Sequence, residues 1–176
     1  MDTNEIKGWF PPESAATLER LIKEHNIKSV LEVGTFVGKS ALFFSKLVDK
    51  VFCVDTFEKN NELRENGVDV KEDFFGEFKD NMIKSGAWPK LHVMRMNSKE
   101  AAELFVEGTH KPAELIYLDA SHDFGNVLRD IMLWTPLAGS IICGDDYDEN
   151  WPGVKQAVDR YFYNAKVEGR FWFVIL

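Results

Sequence analysis

Short apolar runs rich in Val, Ile and Phe alternate with longer amphipathic ones along most of the chain. The runs KSVLEV (28–33), VFCVDTF (51–57), KLHVMRM (90–96), ELIYLDA (114–120) and GSIICGD (139–145) have strand length and strand composition. Between them, GKSALFFSKLVD (38–49), VKEDFFGEFKDNMIKSG (70–86), SKEAAELFVEG (98–108) and FGNVLRDIMLWTPL (124–137) carry apolar residues at helical spacing. An earlier helix is predicted in PPESAATLERLIKEHN, with Glu13 or Ser14 near its start and Asn26 near its end. Beyond Trp151 and Pro152 another helix runs to about Tyr163. The chain then closes with AKV, the turn-like Glu168-Gly169-Arg170 and FWFVIL, which read as a terminal hairpin.

Strands and helices that take turns, with strands apolar on both faces, describe a parallel sheet covered on both sides. The expected fold is therefore α/β and doubly wound. The one long irregular piece is EKNNELRENGVD (58–69), polar and placed between the second strand and its helix, where mobile lids or solvated excursions occur.

Length narrows this picture to one domain, because 176 residues bury one sizeable core but not two. Residues 1–27 would form an amino-terminal segment and helix, and 28–176 the core. With 45% hydrophobic and 13% aromatic residues the chain is a folding sequence. Its 29 acids outnumber its 21 basic residues for a net charge of -8, which argues against a nucleic-acid substrate. No apolar run reaches the roughly 20 residues a membrane helix needs, and MDTNEIKGWF is not a secretory leader, so a cytoplasmic location without membrane partners is expected. Cys53 and Cys143 sit in strand-like runs and read as reduced core thiols.

The chemistry begins in VLEVGTFVGKS (30–40). Its Gly-Lys-Ser ending suggests a phosphate-binding loop, but such a loop needs four residues between its first glycine and the Gly-Lys pair. Gly34 and Gly38 enclose only three, and Val33 stands where the earlier glycine should be. The dinucleotide pattern GxGxxG fails as well, since Phe36 fills the middle glycine position. One part of that pattern survives. Asp55 ends the second strand 21 residues after Gly34, where an acid accepts hydrogen bonds from ribose hydroxyls. Ribose recognition without a phosphate cradle fits a nucleoside carrying no phosphates, and the acid Glu32 suits a positively charged one. S-adenosylmethionine, with its sulfonium and ammonium groups, is such a ligand.

EVGTFVGKS followed by VFCVDTF resembles the cofactor-binding half of class I S-adenosylmethionine-dependent methyltransferases, whose usual opening is E/D-x-G-x-G-x-G. The departure at the middle glycine is shared with the catechol and macrolide-sugar O-methyltransferases. IYLDASHDFGNVLRDIMLWTPLAGSIICGDDY is similar to the macrocin O-methyltransferase group, so the likeness covers nearly the whole chain. It implies a Rossmann-like sheet of seven strands in the order 3-2-1-4-5-7-6, the last strand antiparallel. It also implies cofactor contacts by Glu32, Gly34, Thr35, Gly38, Ser40, Asp55 and Asp119, with Asn97 and Ser98 beside the adenine. Other readings stay open for some of these. Glu32 could pair with Lys39 or Lys46, Lys39 could be a solvated first-turn lysine, and Ser98 could cap the following helix.

In that strand order Asp119 and the pair Asp145-Asp146 meet at the carboxyl edge of strands four and five. Two unit charges about 4 Å apart repel by roughly 4 kcal/mol at an effective dielectric near 20, so the cluster calls for protonation, a basic partner or a cation. A hard divalent ion such as magnesium is the expected answer, and in the relatives these three positions bind such a metal. The bland alternative is a solvated acidic turn. His122, three residues after Asp119, lies at the same edge, unlike His25, His92 and His110.

The resulting expectation is metal-assisted O-methylation of a small hydroxylated molecule, such as a sugar, polyketide or catechol. Asp119 would bind metal and cofactor, and His122 or an unligated carboxylate would take the proton. Nitrogen acceptors fit less well, because ASHD stands where an Asn/Asp-Pro-Pro-aromatic motif would follow the fourth strand. Two rivals remain at this level. One is a phosphotransferase or NTPase using Gly-Lys-Ser. The other is an inactive cofactor-binding protein, with a homodimer contact through Trp9, Phe10, Trp134 or Trp151.

Overall fold

The alternation of strand and helix resolves into one sheet with helices on both faces. The computed structural model describes residues 2–58, 73–108 and 113–176. Five parallel strands come first: β1 (Ser29–Val33), β2 (Lys50–Asp55), β3 (Leu91–Arg95), β4 (Leu115–Leu118) and β5 (Ile141–Gly144). The tail adds β6 (Lys166–Glu168) and β7 (Phe171–Ile175), the hairpin expected there. The sheet order is β3-β2-β1-β4-β5-β7-β6, with β7 antiparallel to both its neighbours, as the resemblance implied.

Six α-helices flank the sheet among the described residues. They are α1 (Pro12–Glu24), α2 (Lys39–Leu47), α3 (Phe74–Lys84), α4 (Ser98–Val106), α5 (Phe124–Trp134) and α6 (Pro152–Tyr161). Because side chains alternate across a strand, each strand feeds two cores. Val30, Cys53, Tyr117 and Cys143 point to the side of α1, α2 and α3, while Leu31, Val54, Ile116 and Ile142 point to the side of α4, α5 and α6. Both cysteines are buried and unbridged.

Local expectations hold at the ends of α1 and shift by one residue at the start of α4. Asn26 takes a left-handed φ of 52° just past α1, as a helix-ending residue does. Glu13 and Ser14 lie in the first turn of α1, near its start as expected, with Ser14 buried and Pro11 preceding the turn. Ser98 is not the cap of α4. Asn97 is, accepting the Glu100 N–H at 3.0 Å while Glu100 reaches back to the Asn97 N–H, a reciprocal capping box. Of the long polar stretch only Glu58 is described; 59–69 lie outside the described residues, as do Val70–Glu72 at the expected start of α3 and His110.

The parallel order reverses direction between β1 and β4, and a crevice opens there at the carboxyl ends of the strands. At its base the Asp119 N–H donates to the Val33 carbonyl across the β1–β4 junction, and the Gly34 N–H ties β1 to β2 through the Val54 carbonyl, both at 2.9 Å. Among the described residues no helix is long and apolar enough to cross a membrane.

Candidate functional site

Above that crevice lies a cavity of about 730 Å3, walled by the loops after β1, β2, β3, β4 and β5 and by Lys7–Pro11. Of the sequence-predicted residues, Gly34, Thr35, Ser40, Asp55, Asn97, Ser98, Asp119, His122, Asp145 and Asp146 line it. Glu32 and Gly38 do not; they sit behind the wall.

The β1–α2 loop is shaped by the protein itself. Gly34 has φ +97°, and a Cβ there would meet the Asp119 carbonyl oxygen at 2.0 Å. At Gly38, φ +94°, a Cβ would meet Met82 Cε at 2.7 Å and Phe78 Cδ2 at 2.9 Å on α3. The glycines are thus demanded by neighbouring chain, not only by approach of a ligand. Lys39 is no solvated lysine. Its Nζ donates to the Gly8 carbonyl at 3.0 Å and ties the amino-terminal segment across the cavity, which leaves it committed away from a phosphate.

Asp55 braces the opposite rim. Its two oxygens accept the Phe36 N–H at 2.7 Å and the Phe57 N–H at 2.6 Å. Both donors hold left-handed backbones, φ 50° and 54°, a strained geometry that side-chain acceptance stabilises. Burial raises the Asp55 pKa, and these N–H donors oppose the rise.

Glu32 pairs with neither Lys39 nor Lys46. It is fully buried, and neither carboxylate oxygen completes a hydrogen bond, although the Ser40 and Thr35 hydroxyls stand beside it and favour its charged form. Burial pushes its pKa up to about 8. The Thr35 hydroxyl is enclosed as well and completes no hydrogen bond, although Thr35 itself lines the cavity. A carboxylate enclosed just behind the cavity wall would act on a cationic amino-acid end of a nucleoside by its charge, through the wall that Thr35 and Ser40 form.

At the other end, the acids find a basic partner. Arg170, in the β6–β7 turn, places Nε 3.0 Å from Asp145 Oδ1, Nη2 against Asp146 Oδ1 and Nη1 3.7 Å from Asp148 Oδ2. The Asp146 N–H also donates to Asp145 Oδ1 at 2.8 Å. His122 Nε2 lies 2.7 Å from Asp146 Oδ2, and its ring stacks on Trp151 at 4.1 Å. Asp119 accepts from the Tyr117 hydroxyl at 3.0 Å. Burial, with the Asp145 charge adding to it, pushes its pKa up to about 6.

The expected ligand trio Asp119, Asp145 and Asp146 therefore does not form. Asp145 is turned to Arg170, and among the described residues the groups whose ligand atoms lie within 4.8 Å of one another are Asp119, His122 and Asp146. Two oxygens and an imidazole nitrogen fit a divalent ion of the manganese-to-zinc series better than magnesium, which prefers oxygen throughout.

Sequence reasoning missed Arg170, Trp151 and Asp130. Asp130 alone had a signal, an acid on the apolar face of α5 at the spacing of Val127, Ile131 and Trp134. Of the aromatic candidates for a dimer contact, Trp134 is fully buried and unavailable, and Phe10 packs against Phe43, Phe44 and Tyr117. Trp9 is 63% exposed beside Phe36.

Known proteins resemble this arrangement. A sequence model described as a methyltransferase domain matches residues 31–147. A protein-L-isoaspartate O-methyltransferase of Idiomarina loihiensis is 43% identical over 44 residues, 25% of this chain. That match spans 21% of the curated relative, about a fifth of its length. Among solved structures, an O-methyltransferase of Bacillus cereus in complex with SAH superposes with TM-score 0.70 at 14% identity, covering 98% of this chain and 85% of that one. The O-methyltransferase TomG of Streptomyces achromogenes, in complex with SAM, gives TM-score 0.68 at 12% identity over 96% and 81%. At such identities the two structures speak for the fold alone.

Proposed function

The chain belongs to the methyltransferase domain family; from that premise we propose that it is an S-adenosylmethionine-dependent methyltransferase that methylates a hydroxyl oxygen of a small molecule. The observation that carries the choice of oxygen chemistry is the His122–Asp146 pair, 2.7 Å apart on the cavity wall. A hydroxyl needs a base as it attacks, and an imidazole oriented by a carboxylate is one.

In this reading the ribose hydroxyls donate to Asp55, and the cationic amino-acid end lies toward Glu32 and Thr35. The methyl group then points to the end of the cavity that holds Asp119 and His122. As the acceptor oxygen bonds to the methyl carbon, the sulfur–carbon bond breaks, leaving a neutral thioether, and the hydroxyl proton passes to His122. Asp146 stabilises the imidazolium so formed, and Arg170 opposes the rise that burial imposes on the neighbouring Asp145. The chain supplies positioning and proton transfer, since the sulfonium is already a strong donor.

A second reading is favoured by the convergence of Asp119, His122 and Asp146. These residues would hold a divalent cation, which when bound would acidify the acceptor hydroxyl. His122 then serves as a ligand, not a base. Magnesium in the originally expected oxygen set would require Asp145 to leave Arg170.

The test is methyl transfer from labelled S-adenosylmethionine to panels of hydroxylated sugars, polyketides and catechols, with and without chelator. His122→Asn should lower kcat by about a hundredfold or more while S-adenosylhomocysteine affinity is kept. Full activity in excess chelator would exclude the metal reading. An unchanged kcat in His122→Asn would exclude the base. Binding of ATP in place of S-adenosylhomocysteine would overturn both.

A further inference from the structure

Asp130 is an acid with no role in the reaction just described, yet it is 94% buried at the cavity wall, 6% of its surface remaining open. It projects from the second turn of α5 toward the start of α4. Its Oδ1 accepts the Ser98 hydroxyl at 2.7 Å, and that hydroxyl in turn accepts the Trp134 indole N–H at 2.8 Å. Trp134 is fully buried against Phe105, so the relay starts from a fixed point. The second oxygen, Oδ2, takes no hydrogen bond from the described residues. It is not among the enclosed side-chain atoms that lack a partner, so on this cavity-lining residue it is an open acceptor that a ligand donor can reach.

We propose that Asp130 is the residue that selects adenine, its Oδ2 accepting a hydrogen from the exocyclic 6-amino group of the bound nucleoside. The inference rests on the S-adenosylmethionine reading, which puts the ribose on Asp55 and the base beyond it, among Met96, Asn97 and Ser98. An ionised carboxylate only accepts hydrogen bonds, and the 6-amino group is adenine's sole donor; the ring nitrogens are acceptors. The Trp134–Ser98 relay fixes the carboxylate so that one oxygen is committed to the protein and the other is left for the base. A site built around such a bond rejects an analogue that lacks the donor, because the acceptor is then left unpaired. The relay fits this task better than simple support of α4, whose end is already capped by Asn97 and Glu100.

The experiment is a thermodynamic cycle by calorimetry on the full chain, with S-adenosylhomocysteine and its 6-deamino analogue, in which hydrogen replaces the amine. The wild type should bind the parent compound at least about thirtyfold more tightly than the analogue. In Asp130→Ala the ratio should fall below about threefold, because the amine has lost its partner. A role confined to supporting Ser98 predicts that both ligands weaken together and the ratio persists, which would overturn the proposal. Equal binding of the two compounds by the wild type would overturn it without any variant, so a poorly folding Asp130→Ala does not shield it. If the wild type binds neither compound, the cofactor reading itself fails and takes this inference with it.

Discussion

Gly34 and Asp119 touch through their backbones: a Cβ on Gly34 would stand 2.0 Å from the Asp119 carbonyl oxygen and 2.8 Å from Ala120 Cα. The first residue after β1 and the first residue after β4 therefore cannot move independently. Gly34→Ala must push the two strand ends apart while also holding φ +97°. Left-handed backbone costs about 1–2 kcal/mol and overpacking about 1–3, so a loss of roughly 3 kcal/mol or more is expected. Gly38→Ala meets only side-chain atoms of Met82 and Phe78, which can shift, and should lose less. Urea midpoints for the two variants decide it; equal losses would mean that the backbone contact is not what fixes Gly34.

Arg170 stands where a metal was expected, and its removal should expose that substitution of roles. Arg170→Met keeps most of the aliphatic stem but leaves Asp145 and Asp146 without their cation. Breaking a buried pair costs about 3–5 kcal/mol, but the Arg170 side chain is 31% exposed, so solvent screening brings the expectation to about 2 kcal/mol. Burial raises the Asp145 pKa and Arg170 opposes that rise, so without the guanidinium Asp145 should protonate more readily. The deficit should thus be larger at pH 8 than at pH 5. Added manganese or zinc should raise the melting temperature of the variant more than that of the wild type. A deficit independent of pH and of cation would mean that Arg170 acts through packing alone.

How far the site was legible follows from how local each signal is. Strand-length apolar runs and the residues that end them are written in consecutive positions, so β1 to β5 and Asp55, Asp119 and Asp145 could be placed from the chain alone. Arg170 could not. It reaches Asp145 only because β7 inserts antiparallel between β5 and β6, and no spacing along the chain encodes a contact 25 residues away. The reason for Gly34 was hidden in the same way, since its neighbour Asp119 follows a strand that comes three strands later. Asp130 was the missed opportunity, an acid on the buried stripe of α5 that a helical-wheel reading exposes.

Trp134→Phe isolates one link of the buried relay. It removes the indole N–H that donates to Ser98 Oγ at 2.8 Å and leaves a small void. A lost buried hydrogen bond with partial loss of packing should cost about 1–2 kcal/mol of stability. Ser98 would still donate to Asp130, so S-adenosylhomocysteine affinity should fall only a few-fold. Chemical denaturation and calorimetry on the same sample separate the two effects. A large affinity loss with unchanged stability would contradict the assignment of Trp134 to the fixed, structural end.

Glu32 couples the fold to pH. Its ordinary pKa of 4.5 is pushed to about 8 in the folded protein, chiefly by burial. Between those values the folded chain keeps a proton that the unfolded chain has released. Stability is then fully present below about pH 4.5 and is lost as pH rises through about 8, by up to about 1.4 kcal/mol per pH unit. Glu32→Gln has no proton to release, so this part of the slope should vanish, and the variant should outlast the wild type at pH 9. The same carboxyl should report the cofactor. A cation settling beside it favours the ionised form, so binding S-adenosylmethionine near pH 7 should release a proton. Calorimetry in two buffers of different ionisation enthalpy measures that release, and Glu32→Gln should abolish it. If the variant unfolds with the same pH slope and releases the same proton, another group titrates and Glu32 is already ionised in the empty site.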